Sequence, residues 1–211
     1  MEEKTRIIDI SLPIKTNMVV YPGNAPVDIS VWHSIGKGDS SNLSRIDLGS
    51  HTGTHIDAPF HNDPSGKTLG QIPLQIFFGR CKVFDFSNSQ KCVSLEDLRS
   101  KDIKKGDRIL LKTSNSFRGL EEFYDDYVYL DGDGAEYLAE QGVLLVGIDS
   151  LTIKQRGSKD NRPHSALLSK DIPIIEGINL KEVSEGEYII SAFPISVDID
   201  GAPIRAVLIK K

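Results

Sequence analysis

Three apolar runs of strand length alternate with two helix-like segments in the middle of the chain, and this order limits the fold more than any other feature. In chain order the five segments are RCKVFDF (80–86), SLEDLRS (94–100), DRILLKTS (107–114), GAEYLAEQG (134–142) and VLLVGID (143–149). Ser94 is placed as an N-cap with Asp97 three residues later, whereas Asp133 and Gly142 are placed to begin and end the second helix. The order β-α-β-α-β predicts parallel strands joined by right-handed crossovers.

Further strand-like segments do not alternate with helices: RIIDIS (6–11), YIISAFPI (188–195) and APIRAVLIK (202–210). We therefore predict an α/β fold with a mixed sheet rather than a purely parallel one. The chain has no Pro/Gly/Ser-rich linker, internal repeat or low-complexity tract, so residues 1–211 are predicted to form a single domain. The irregular stretch 150–170 is predicted to be a loop, and loops of that length are often functional.

Composition argues against several classes of protein. The net charge is −5 and no basic run exceeds two residues, which argues against nucleic-acid and membrane-surface partners. No apolar stretch approaches the ~18–20 residues of a membrane span. The start, MEEKTRIIDI, lacks an apolar signal core, so we expect a cytoplasmic protein. Cys81 and Cys92 are then expected to be free thiols rather than a disulfide.

The segment SHTGTHIDAPFH (50–61) holds three of the five histidines and an aspartate within twelve residues. If LSRIDLGS (43–50) leads into it as a strand, residues of one parity share a face. That face would carry His51, Gly53, His55, Asp57, Pro59 and His61. A zincin-like helix is a poor alternative, because the interior is Thr-Gly-Thr and no glutamate follows the first histidine. The other alternative is a group of histidines bonded only to backbone.

Two imidazoles and a carboxylate form a ligand set for Zn²⁺, Mn²⁺ or Fe²⁺, with positions left for water. Four residues of straight strand span roughly 13 Å, so His51 and His55 can share an ion only if the chain bends between them. Gly53 is the residue that can take the required dihedral angles. His55 and Asp57 need no bend. A divalent ion here would lower the pKa of water toward ~7.

Two possible partners lie far along the chain, in RPHSALLSKDIPIIEGINL (162–180). His164 follows a proline at the end of the predicted loop. Glu176 ends an apolar strand-like run, where a carboxylate needs a partner or solvent. Each residue alone is as easily explained as an ordinary surface group.

The motif SHTGTHIDAPFH resembles the HxGTHxDxPxH signature of the cyclase family of metal-dependent hydrolases, which includes kynurenine formamidases and isatin hydrolases. Four other segments resemble further blocks of that family in the same order: DISLPIKTNMVVYPG (9–23), VGIDS (146–150), RPHSALLSKDIPIIEGINL (162–180) and DGAPIRAVLIK (200–210). The resemblance covers nearly the whole chain. It implies the family's swivelling β/β/α fold and assembly into homo-oligomers, as dimers or tetramers.

The resemblance also implies a metal centre of one or two divalent ions, with Zn²⁺ favoured and Mn²⁺ as the alternative. His51, His55 and Asp57 would bind metal, and Asp57 could bridge two ions. His164 and Glu176 would complete a second metal position.

The implied reaction is hydrolysis of an amide-type bond in a small molecule, a formamide or a cyclic amide, as in an arylformamidase. His61 would give and take the proton, for which an unperturbed pKa near 6.5 is suitable. Tyr21 would stack on the substrate, although kynurenine formamidases favour tryptophan there. The stretch 150–163 departs from many formamidases and is expected to shape the pocket. A cyclase or lyase acting on a polyketide-like or hydroxy-acid substrate, and a non-enzymatic metal-binding module, stay open as alternatives.

Four other polar residues have less certain roles. His33 follows the single tryptophan and is expected to be structural. Asp198, Asp200 and Arg205 could orient the ligand histidines from outside the metal shell. A plain ion pair at a strand turn is an equal alternative.

Overall fold

The computed structural model describes residues 5–119 and 121–210, which form an α/β structure built on one large mixed sheet. The strands are β1 (Arg6–Asp9), β2 (Asp28–His33), β3 (Leu43–Asp47), β4 (His55–Asp57), β5 (Phe78–Phe86), β6 (Cys92–Val93), β7 (Arg108–Thr113), β8 (Tyr129–Leu130), β9 (Leu145–Ile148), β10 (Ile174–Glu176), β11 (Gly186–Ser191), β12 (Gly201–Pro203) and β13 (Val207–Lys210). The α-helices are α1 (Leu95–Arg99), α2 (Gly132–Gln141) and α3 (Arg162–Leu168). The predicted fold class is confirmed.

The large sheet contains nine of the described strands in the order β1-β13-β11-β5-β7-β9-β10-β4-β12. Its centre, β5-β7-β9-β10, is parallel. The strands outside this centre pair antiparallel. The parallel β-α-β-α-β segment predicted from residues 80–149 is therefore present, and the strands from the chain ends make the sheet mixed.

Both faces of the parallel centre are covered, which is why β9 and residues 109–111 of β7 carry apolar residues in succession. In β7, Ile109 and Leu111 face one hydrophobic cluster and Leu110 faces the other. The first cluster also holds Leu98 of α1 and Leu138 of α2. The helices therefore cover one face, while the strands at the chain ends and short 3-10 turns contribute to the other.

The ends of α1 and α2 agree with the caps predicted from the sequence, with one correction. Ser94 caps α1, and its hydroxyl and the Asp97 carboxylate form the predicted capping box. The N-cap of α2 is Asp131, not Asp133, because the Asp131 carboxylate accepts the Gly134 N–H at 2.6 Å. Gly142 ends α2 in the left-handed conformation, with φ of 70°, as predicted.

Three expectations about segment boundaries are wrong. The strand predicted to run from residue 43 into the histidines ends at Asp47, and β3 pairs with β2 in a separate two-stranded ribbon. The stretch 150–170 is not a loop throughout, because α3 occupies Arg162–Leu168 and contains His164. The C-terminal segment also divides into β12 and β13.

Both cysteines are free, as predicted. No described helix has the length and apolar character that a bilayer span requires.

Candidate metal centre

Strand β4 carries two of the predicted metal ligands and lies between two other strands. It pairs antiparallel with β10 on one side and with β12 on the other. Because His55 and Asp57 are two residues apart in a strand, their side chains point to the same face. Glu176 lies directly opposite His55 in the β10 register. The pairing on both sides of β4 therefore holds three candidate ligands at a fixed spacing.

The chain bends between His51 and His55 at the glycine predicted from the sequence. Gly53 has a φ of 60°, which an L side chain rarely adopts. Gly177, with a φ of 67°, crosses this bend so closely that a Cβ on it would lie 2.3 Å from the Gly53 carbonyl oxygen. The Thr54 hydroxyl donates to the Gly177 carbonyl at 2.5 Å. These contacts join the two segments of the chain that carry the candidate ligands.

Four buried side chains form what we call the inner cluster: His55, Asp57, His164 and Glu176. His55 Nε2 lies 3.3 Å from an oxygen of Asp57 and 3.3 Å from an oxygen of Glu176. His164 Nε2 lies 3.3 Å from the other Glu176 oxygen and 3.6 Å from the other Asp57 oxygen. Residues far apart in sequence thus converge on one point, with imidazole nitrogens alternating with carboxylate oxygens.

Two atoms of the inner cluster are better placed to bind a cation than to form a hydrogen bond with each other. His55 Nε2 and Asp57 Oδ2 are fully buried and form no hydrogen bond with acceptable geometry, a rare condition for buried polar atoms. His55 Nδ1 lies 2.9 Å from the Gly53 carbonyl oxygen and can donate its proton there. That bond leaves the Nε2 lone pair directed into the cluster, as in histidines that bind metal.

A second group, which we call the outer cluster, comprises His51, Asp57 and His61, whose candidate ligand atoms lie within 4.8 Å of one another. His51 Nδ1 is 2.7 Å from Asp57 Oδ1, and His51 Nε2 is 2.6 Å from Asp200 Oδ2. The grouping differs from the expected one, because His55 lies with Glu176 while His51 lies with His61. Asp57 belongs to both clusters.

The charges of the inner cluster are balanced between carboxylates and imidazoles. Burial alone would raise the pKa of Asp57, but the hydrogen bond with His51 and the close His55 imidazole hold that pKa well below its usual range. Burial and the Asp57 charge raise the pKa of Glu176, whereas the close imidazoles of His164 and His55 lower it overall. Burial lowers the pKa of His55, but Asp57 and Glu176 raise it to about 10. Two buried carboxylates therefore require positive charge, which a divalent cation supplies in compact form.

His61 differs from the other histidines of the site in exposure and in protonation. Its side chain is 36 % exposed and ends the 3-10 turn Pro59–His61. Burial lowers the pKa of His61; the Asp57 charge opposes this change, and His51 and His164 add to it. The net direction is downward, so the ring is mostly neutral at neutral pH. A neutral imidazole at the edge of a polar cluster can accept a proton.

The two clusters open into a cleft of about 350 Å³, which also contacts loop residues after β9. Tyr21, His51, His61, His164 and Glu176 all line it, as do residues 151–157 in part. The Tyr21 ring packs edge-on against Phe123, with 5.4 Å between ring centroids. A larger neighbouring cleft of about 460 Å³ shares Leu151 but contains no histidine. Of these two clefts, the smaller one contacts residues of both clusters among the described part of the chain.

The polar residues near the C-terminus had two possible roles, orienting the ligand histidines or forming a plain ion pair, and they differ in their contacts. Asp200 contacts His51 and lies 3.8 Å from His61 Nδ1, so it can orient the outer cluster. Asp198 instead accepts a hydrogen bond from the Thr68 hydroxyl. Arg205 forms an exposed ion pair with Asp9. His33 lies in the exposed ribbon of β2 and β3 and does not line the cleft.

The chain is similar to known proteins in sequence and in fold. The family model Cyclase, described as "Putative cyclase", matches residues 8–155. A kynurenine formamidase from Bacillus cereus (strain ATCC 14579) is 35% identical over 202 residues, covering 95% of this chain and 96% of that protein. A predicted metal-dependent hydrolase from Bacillus stearothermophilus has a TM-score of 0.87 at 35% identity, covering 99% of this chain and 100% of that one.

A more distant structure supports the fold alone. Isatin hydrolase A from Labrenzia aggregata has a TM-score of 0.85 at 19% identity, covering 97% of this chain and 93% of that one. The family model spans well over half of the chain, and the curated relative matches almost all of it. The chain therefore belongs to the Cyclase family.

Proposed function

We propose that this protein is a metal-dependent hydrolase of amide-type bonds, of the arylformamidase kind, with formamides or cyclic amides as substrates. The observation that carries the proposal is the inner cluster: two buried carboxylates and two imidazoles that converge beside an open cleft. The similarity to proteins named kynurenine formamidase, at 35% identity over nearly the whole chain, supports the same reaction class.

The residues present suit a divalent ion. His55, Asp57, His164 and Glu176 would hold it in the inner cluster, and the unpartnered His55 Nε2 and Asp57 Oδ2 fit that role. His51 and Asp57 would hold a second ion. We propose Zn²⁺ as the resident metal and Mn²⁺ as the alternative, because the set mixes nitrogen and oxygen ligands. When bound, a divalent ion supplies the Lewis acidity that polarises a carbonyl and lowers the pKa of water.

The protein's own groups would move the proton and hold the substrate. His61, neutral and at the cleft edge, would accept a proton from the attacking water and return it to the leaving nitrogen. Tyr21 offers an aromatic ring in the same cleft, against which an aryl group could pack. The loop after β9 contributes residues 151–157 to the wall and so would set the shape of the accepted substrate.

We further propose that residues 1–211 act as one domain, in a homo-oligomer and in the cytoplasm. Support for the single domain comes from β1 and β13, strands from opposite ends of the chain that pair in the main sheet. Support for the oligomer comes from large apolar side chains that are exposed on β2 and β3, such as Val31, Trp32 and Ile46.

The test compares the parent protein with His61→Ala and with His33→Ala, a histidine outside the cleft. With an aryl formamide as substrate, His61→Ala should keep its inner-cluster metal and lose about 10²–10⁴-fold in kcat. His33→Ala should keep both. Parental turnover by His61→Ala would contradict the assignment.

Isotope labelling separates hydrolysis from the cyclase alternative. Hydrolysis in H₂¹⁸O places the label in the carboxylate product, whereas ring closure with loss of water incorporates none. A panel of aryl formamides and cyclic amides with no metal-dependent turnover would instead favour a non-enzymatic metal-binding protein.

A further inference from the structure

One side chain in the cleft beside the two clusters carries a positive charge that the proposed hydrolysis does not use. Lys154 is half-buried and lines this cleft together with His61, His164 and Glu176. Its ammonium group lies 3.2 Å from the amide oxygen of Asn161 and forms no ion pair with a carboxylate of residues 5–119 or 121–210. The charge therefore faces a space that a ligand can enter.

The neighbouring cations of the same loop are paired, which sets Lys154 apart. Arg156 forms an ion pair with Asp125, and Arg162 lies 2.8 Å from a carboxylate oxygen of Asp160. A half-buried ammonium group has lost part of its hydration, and burial of a charge without a partner is unfavourable. Lys154 would therefore gain more from an incoming anion than either of the paired arginines.

Lys154 is the first of three side chains in contact along the cleft, and we call Lys154, Asn161 and Asn62 the donor chain. An ammonium group can only donate, so its contact assigns the Asn161 oxygen as the acceptor. The Asn161 amide nitrogen then donates to the Asn62 oxygen at 2.5 Å. Each amide oxygen thus accepts one bond, while the remaining N–H groups of all three side chains make no further hydrogen bond within the described residues. The donor chain therefore suits a ligand that accepts hydrogen bonds.

The position of Asn161 supports a role for the donor chain beyond helix stability. Asn161 is the N-cap residue of α3, and asparagine is a preferred N-cap because its side chain can accept a backbone N–H of the first turn. Here the side chain makes no such bond and contacts Asn62 and Lys154 instead. It thereby links the residue after His61 to the helix that carries His164.

The rest of the cleft wall adds little negative charge that would oppose an anion. Among the described residues that line the cleft, Glu176 is the one carboxylate, and it faces His55 and His164 in the inner cluster. A cleft lined by charge of one sign concentrates ligands of the opposite sign. A carboxylate supplies two acceptor oxygens and one negative charge, which matches one ammonium group beside amide donors.

We propose that Lys154, held in place by Asn161 and Asn62, is a specificity-determining residue that binds a carboxylate of the substrate. The substrate class is then an aryl formamide or cyclic amide that carries a carboxylate outside the bond to be cleaved. The clusters hold the reacting amide, and Lys154 holds another part of the same molecule. This inference rests on the proposed hydrolase function and adds the charge of its substrate.

The first test measures the ratio of kcat/KM for carboxylated formanilides to kcat/KM for formanilide itself. The carboxylate is placed ortho, meta or para on the ring, or at the end of a short aliphatic arm. The parent protein should favour at least one carboxylated substrate. In Lys154→Gln the ratio should fall about 5- to 20-fold, mainly through KM, because a charged hydrogen bond is lost at a partly solvated site. Lys154→Glu should invert the preference, and Lys154→Arg should retain most of it.

The matched control is Lys159→Gln, because Lys159 is an exposed lysine of the same loop that does not line the cleft. This variant should keep the parental ratio. A carboxylate can also bind a metal ion directly, but that contribution would be the same in the parent protein and in the Lys154 variants. An unchanged ratio in Lys154→Gln, or an equal fall in Lys159→Gln, overturns the proposal.

The second test supplies the anion from the protein itself. Asn161→Asp keeps the shape of the amide and places a carboxylate against Lys154, so it should lower the ratio as Lys154→Gln does. A parental ratio in Asn161→Asp overturns the proposal. If the parent protein hydrolyses the formanilides and the ratio does not depend on Lys154, the hydrolase proposal stands and this one falls. If the parent protein hydrolyses none of them, both fall.

Discussion

Asp200 provides the sharpest test of how the metal centre is organised, because one carboxylate oxygen contacts both histidines of the outer cluster. It lies 2.6 Å from His51 Nε2 and 3.8 Å from His61 Nδ1. Since His51 Nδ1 faces Asp57, a metal ion would be bound through Nδ1 while the Nε2 proton is held by Asp200. With an ion bound, Asp200 would take the place of the carboxylate that fixes a metal-binding histidine's tautomer and raises its basicity. The informative variant is Asp200→Asn, which keeps the shape and removes the charge.

The expected loss can be estimated from that single contact. A hydrogen bond to a charged group contributes about 1.5–3 kcal/mol and a neutral one about 1 kcal/mol. The difference of about 1 kcal/mol is roughly a fivefold change in an equilibrium constant. Replacing a carboxylate that orients a metal-bound histidine commonly costs 10–100-fold in metal affinity or activity. We therefore expect Asp200→Asn to weaken the metal bound through His51 by about 5- to 100-fold.

Competition with a chromogenic chelator measures this affinity directly, and kcat is measured on the same preparation. The matched control is Asp198→Asn, because that carboxylate bonds to Thr68 and contacts no histidine of the site. Parental metal affinity and turnover in Asp200→Asn, or an equal loss in Asp198→Asn, would refute the assignment.

Two further predictions concern stability. Gly177→Ala should lower the free energy of unfolding in urea by about 1–3 kcal/mol, because its Cβ would meet the Gly53 carbonyl oxygen at 2.3 Å. The control is Gly157→Ala, which has a similar φ and no atom within 4 Å of the added Cβ, and it should lower the free energy of unfolding by less. Equal losses in the two variants would contradict the close contact between Gly177 and Gly53. In metal-stripped protein the pKa of His55 is raised to about 10, so its stabilising contribution is complete below about pH 6.5 and declines as pH rises toward 10. Urea titrations between pH 6 and 9.5 should show this decline, reduced in His55→Gln; an equal slope in the variant would exclude His55 as its source.

The proximity of the candidate ligands was more predictable from the sequence than the elements that carry them, and the reason is local. His55, Asp57 and the bend at Gly53 lie within five residues, so strand periodicity and glycine's freedom determine their relation. Glu176 ends an apolar run, and a carboxylate there needs a partner. Nothing in that run states which strand it pairs with, so the 3.3 Å contact with His55 depends on tertiary structure.

The strand expected to lead into the histidines shows what periodicity cannot determine. Residues 43–47 do form a strand, but alternation of apolar and polar residues does not specify the sheet that a strand joins. Here it pairs with β2 in a separate ribbon whose large apolar side chains are exposed. The helix α3 was missed because it is only seven residues long and its N-cap residue, Asn161, forms no side-chain cap bond.

The strand pairing of β4 determines when the inner cluster can form during synthesis and folding of the chain. β4 is short, and its neighbours in the sheet, β10 and β12, follow it by well over one hundred residues. Contacts that close such long loops form slowly. A nascent chain that has emerged only through the HTGTHID motif therefore lacks His164 and Glu176 and cannot assemble the inner cluster. An ion in the inner cluster would therefore bind after the sheet has closed, and would not nucleate the first collapse of the chain.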